Sequence, residues 1–74
     1  MNEFGLPATD EAVEYMREIA TAMIALFGID AAEACGRVRK FWHTEAFLTE
    51  PALGALFHRT PESWARNIYS SARP

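Results

Sequence analysis

A chain of 74 residues has room for one domain, and its 50% hydrophobic and 23% charged residues place it among globular sequences rather than disordered ones. So short a chain buries only about 60% of the surface it exposes when unfolded. Its single core is therefore marginal, and self-association or docking on a larger partner is expected to support it. The lone cysteine, Cys35, excludes an internal disulfide. A net charge of −3 conceals a division: residues 1–34 hold seven acids against Arg17, a balance of −6, and residues 35–74 hold six bases against three acids, a balance of +3. Such asymmetry fits two halves that attract within one fold, or a bipolar surface that steers a partner or stacks head to tail.

The opening residues carry an acid and no basic cluster, unlike a signal peptide. The longest largely apolar stretch, Ile19 to Ile29, falls well short of the roughly 20 residues of a membrane span. With one unpaired cysteine, a cytoplasmic location is expected.

Residues 1–8 read as an irregular N-terminal arm of a single helical domain spanning 1–74. Thr9 is suited to cap a first helix, with Asp10 and Glu11 in the turn where the helix dipole favours acids. Apolar residues at Ala12, Val13, Met16, Ile19, Ala20, Met23, Ile24, Leu26 and Phe27 form a stripe at helical spacing, and Gly28 supplies the stop. Asp30-Ala31-Ala32-Glu33 has capping-box spacing and starts a second helix from Ala31 to about His43. Its bases, Arg37, Arg39 and Lys40, lie toward the favourable C-terminal end. Gly36 weakens it by about 1 kcal/mol relative to Ala, a cost that a close helix crossing could explain. Phe47 and Leu48 are expected to plug the core from a connection at 44–49. Thr49 and Pro51 start a short third helix through Ala52, Leu53, Ala55, Leu56 and Phe57. Thr60-Pro61-Glu62 starts a fourth, to about Ser71, burying Trp64, Ala65 and Ile68, with Tyr69 a further candidate, before a frayed end. The predicted fold is all-α, a compact bundle of about four short helices.

Phe27-Gly28-Ile29, Ala32-Glu33-Ala34, Arg37-Val38 and Trp42, followed by His58-Arg59-Thr60-Pro61-Glu62-Ser63-Trp64-Ala65-Arg66-Asn67-Ile68-Tyr69, carry a resemblance. Over residues 27–69 they resemble a family of short, uncharacterised bacterial helical proteins with two signatures. The first reads F-G-I, then E-E-A, then R-I and W; the second reads H-E-x-P-E-Y-W-A-x-x-I-Y-Y. Arg59, Ser63 and Ser70 depart from that second pattern. The resemblance implies a small bacterial helical protein and assigns no activity.

No catalytic, cofactor or metal motif emerges. Cys35 and His43 are eight residues apart, about 12 Å along one helix, too far to share an ion. His43 and His58 with a carboxylate could meet through the fold, but helix-end histidines are the simpler reading. Cys35 sits among apolar neighbours as a small buried thiol rather than an activated nucleophile. Ser63, Ser70 and Ser71 lack an elbow-type glycine motif. Arg37, Arg39 and Lys40, interleaved with Phe41 and Trp42, form the most basic stretch and a possible nucleic-acid patch. The acidic pI of about 5.2 opposes that role. Trp42, Trp64, Phe41, Phe47, Phe57 and Tyr69 exceed what so small a core readily encloses, and Trp64, Arg66, Tyr69 and Trp42 suit a partner or oligomer surface. The expected function is a non-catalytic protein-interaction or regulatory module, able to form a homodimer. A nucleic-acid-binding helical protein is the alternative.

Overall fold

The longer helices begin where a side-chain oxygen is available to accept an unpaired backbone N–H. In the computed structural model, which describes residues 2–71, the Thr9 hydroxyl accepts from the Ala12 N–H at 3.1 Å and α1 runs Asp10–Phe27. Gly28 ends it in the left-handed conformation, φ 69°, and donates its N–H to the Ile24 carbonyl at 2.9 Å. A Cβ at Gly28 would meet nothing within 4 Å, so the backbone angle and not crowding calls for glycine. Asp30 then accepts from the Glu33 N–H at 2.8 Å and opens α2, Ala31–Phe41. The third helix, α3, is a short segment at Ala52–Phe57 that follows a cis Glu50–Pro51 peptide. No side chain caps its first residue; the Glu50 carboxylate instead accepts from the Gly54 N–H at 2.9 Å. Thr60 accepts from the Ser63 N–H at 3.1 Å and opens α4, Pro61–Ser71, with proline at the position that lacks an N–H partner anyway. Part of the expected frayed end, 72–74, lies outside the described residues.

Four local expectations are corrected. Leu48 does not plug the core with Phe47: Phe47 is buried, but the next side chain along the chain points outward and leaves Leu48 50% exposed. Thr49 does not cap α3, whose N-cap is Pro51 without a side-chain hydrogen bond. The second helix stops before His43, because the chain turns at Trp42, which takes the C-cap and buries its ring. Gly36 serves no close crossing: a Cβ there would meet nothing within 4 Å.

At about 27 Å, α1 nearly spans the 32 Å long axis of the molecule, and α2, α3 and α4 all pack on it. Its Met16, Ile19 and Met23 are fully buried against Ala34 and Val38 of α2, Leu56 of α3, and Ala65 and Ile68 of α4. The architecture is thus a compact all-helical bundle of four helices, with no strand among the described residues and none long and apolar enough to cross a membrane.

The arm is irregular, as expected, yet it belongs to the core. Phe4 is 0% and Leu6 4% exposed, with Gly5 at φ 66° turning the chain between them. The Asn2 side chain braces that turn, donating to the Leu6 carbonyl at 2.8 Å and accepting from the Phe4 N–H at 3.0 Å. Glu3 holds Arg17 of α1 through two hydrogen bonds of 2.7 and 3.0 Å. A single parallel bridge joins Ala8 to Phe47. There the Phe47 N–H donates to the Pro7 carbonyl at 2.7 Å, and the Thr9 N–H donates to the Phe47 carbonyl at 3.0 Å.

Candidate interaction surface

Aromatic rings expected at the surface are largely used inside the fold. Trp42 is 7% exposed, which removes it from the expected partner surface. Its ring meets Phe47 edge-on at 5.1 Å and Trp64 at 5.0 Å. Phe41 also meets both tryptophans edge-on, so the cluster interlocks, which is how so small a core encloses these rings. Trp64 is half-buried; its indole N–H donates to the Leu56 carbonyl at 2.8 Å, and the Arg59 guanidinium lies over its ring at 4.8 Å. Tyr69 is held between the Phe27 ring, stacked at 3.9 Å, and the Arg37 guanidinium, 4.5 Å from its centroid. These contacts join α4 to α1 and α2. Only Arg66 of the four expected surface residues is exposed.

The basic stretch is not one patch. Arg37 and Arg39 lie about 200° apart around α2. Arg37 turns toward α4, with its guanidinium also on Glu33 at 2.7 Å. Arg39 turns toward the arm, where a Cβ on Gly5 would lie 3.6 Å from its Cδ. Lys40 is exposed. Cys35 is half-buried, and burial pushes its thiol pKa up, away from the reactive thiolate. His43 and His58 are both exposed, and among the described residues no three His, Cys, Asp or Glu side chains cluster as a metal site would require.

A different surface draws together groups that were not linked in sequence. Phe57, at the end of α3, is 41% exposed and meets Tyr15 of α1 edge-on at 5.2 Å. The Tyr15 hydroxyl donates to the Arg59 carbonyl and so fixes the ring against the turn between α3 and α4. These two rings floor an open groove of about 460 Å³, rimmed by Asp10, Glu11, Glu14 and Glu18. A second cleft continues from Glu14 and Glu18 along α1 to Ala22 and Ala25, beside Pro61 and Glu62 of α4. Of these acids, only Glu14 has an ion-pair partner among the described residues, Arg17. Tyr15 registers the field: burial raises its pKa first, and the Glu18 and Glu62 charges add to the rise.

The run of acids was visible in the sequence, but its apolar floor was not, because Phe57 and Tyr15 are 42 positions apart and meet only when α3 folds back on α1. No family model, curated protein or solved structure matches the chain.

Proposed function

We propose that the chain is a non-catalytic protein-interaction module whose working surface is the outward side of α1 with the end of α3. The observation that supports this reading is an exposed aromatic floor inside an acidic rim: Phe57 on Tyr15, bordered by Asp10, Glu11, Glu14 and Glu18. An aromatic anchor surrounded by charge is the composition that gives an interface both affinity and selectivity. The broad acid excess of residues 1–34 would speed the encounter with a basic partner surface and repel acidic ones.

The test is capture from nuclease-treated native lysate on tagged protein, run in parallel with Phe57→Ala and Glu18→Lys. Both side chains are exposed and neither anchors the core, so circular dichroism should remain helical. A protein, or untagged copies of the chain, retained by the wild type and lost from both variants supports the reading. Identical recovery on all three baits sinks it.

A further inference from the structure

The acidic groove has a counterpart of opposite character on the same molecule. Among the described residues Leu48 is the most exposed of the large apolar side chains, at 50%. It lies over a shallow cleft formed with Gly5, Leu6 and Pro7 of the arm. Arg39 borders that position, since its stem reaches Gly5. Among the described residues Arg39 forms no salt bridge. The arm therefore has an apolar knob, Leu48, on its cleft and the stem of a cation without a salt bridge, Arg39, against its Gly5. The other face presents an aromatic floor beside carboxylates that form no salt bridge among the described residues.

The two faces are neighbours. The Leu48 cleft shares Asn2 and Ala8 with a cleft of about 550 Å³ that also holds Asp10 and Glu14. Asp10 and Glu14 in turn rim the Phe57 groove. The arm thus connects knob and groove into one continuous surface. Contiguity matters for symmetry. When two complementary patches adjoin, a twofold axis between them lets each copy place its knob in the other's groove at once, which closes the assembly at two subunits.

We infer that the protein forms a twofold-symmetric homodimer, with Leu48 and Arg39 of each copy set against the Phe57 groove and Glu11 of the other. This rests on the interaction-module reading and names a second copy as the occupant of its surface. A standard interface hides about 800 Å² per subunit, about a sixth of the 4645 Å² this chain exposes. Burying the exposed Leu48 and Phe57 would supply the apolar contribution a chain of this size lacks.

The mass of the full chain is measured by sedimentation equilibrium over a range of concentrations at low salt, for the wild type, Arg39→Glu, Glu11→Lys and an equimolar mixture of the two variants. The wild type is expected to reach the dimer mass and to weaken as salt rises. Each variant alone places like charges together twice and is expected to dimerise at least about tenfold more weakly. In the mixture the introduced acid meets the introduced base at one contact, and native Arg39 meets native Glu11 at the other. Both pairs are restored, so the dimer returns. Leu48→Ala should weaken it without altering the charge pattern. A wild type that stays monomeric overturns the dimer, whatever partner the capture experiment finds. A dimer insensitive to either reversal, an unrestored mixture, or mass growing past two subunits overturns it equally. Unchanged helical circular dichroism in each variant separates lost association from lost folding.

Discussion

The arm and α3 invert the usual relation between regular structure and burial. Residues 2–8 hold no helix, yet Phe4 and Leu6 are sealed in the core. Residues 52–57 are helical, yet only Leu56 is buried, and Phe57 stands 41% exposed. A helix of six residues is too short to be stable by itself, and in less than two turns it fully buries one side chain, with Ala52 and Leu53 only partly covered. The arm, free of helical periodicity, turns at Gly5 and sends both of its large apolar residues inward. Hydrophobic stabilisation follows area removed from water rather than secondary structure.

The largest test of that contrast exchanges phenylalanine for alanine in each region. Phe4→Ala should cost about 3–5 kcal/mol, as for other fully buried phenylalanines. For a 74-residue domain holding roughly 0.05–0.15 kcal/mol per residue, that is a large fraction of the total stability. Phe57→Ala should cost about 1–2 kcal/mol, because the residue is already 41% exposed to water and only the rest, including the edge on Tyr15, is lost. Urea unfolding followed by circular dichroism measures both. A Phe4→Ala loss as small as that expected for Phe57→Ala would mean that the arm is an appendage and not a part of the core.

Gly36 and Gly54 sharpen the comparison on a smaller scale, since both lie inside helices. At Gly36 an added Cβ finds open space, so Gly36→Ala should stabilise by up to about 1 kcal/mol through helix propensity alone. A change of that size raises the melting temperature by about 4–8 °C in a domain of this length. At Gly54 the Cβ would lie 2.6 Å from a Glu50 carboxylate oxygen, the one that accepts the Gly54 N–H. Gly54→Ala must displace that side chain, so its gain should be smaller. A melting temperature unchanged by Gly36→Ala would show that α2 is not governed by its local propensity.

Much of the helical outline was legible because it rests on short-range chemistry. Thr9, Asp30 and Thr60 each cap a helix by accepting from the N–H three residues ahead, and Gly28 takes the left-handed stop. The apolar stripe of α1 likewise reports its buried side, with Met16, Ile19 and Met23 all at 0%. What escaped depends on contacts distant in sequence. Phe4 and Leu6 carry no periodic signal, only two apolar residues around a glycine. Trp42 reads equally well as anchor or core until Phe47 and Trp64 close on it. Arg37, Arg39 and Lys40 look like one patch in a string, but helical geometry sends the first two to different neighbours. The groove is the extreme case, since its acids come from one helix and its exposed ring from another.

The smallest expected effect concerns what fastens the arm at its outer edge. The hydrogen bonds from Arg17, helped by a backbone N–H, hold the Glu3 carboxyl down to about 2 from an ordinary value of 4.5. A depressed carboxyl pKa stabilises the fold at pH values above the unfolded value, and that contribution fades as acid protonates the folded carboxylate. The window therefore runs from 4.5 down to about 2. Both side chains are substantially exposed, at 39% for Glu3 and 48% for Arg17, so solvent and salt screen the pair and its contribution is modest. Glu3→Gln should melt slightly below the wild type at neutral pH, with the gap closing as pH falls through that window and narrowing in concentrated salt. Because Phe4 follows directly, hydrogen exchange at the Phe4 and Gly5 amides should quicken in the variant at neutral pH. A gap that persists at the acid end would assign the effect to packing of the arm, leaving the burial of Phe4 and Leu6 as its main attachment.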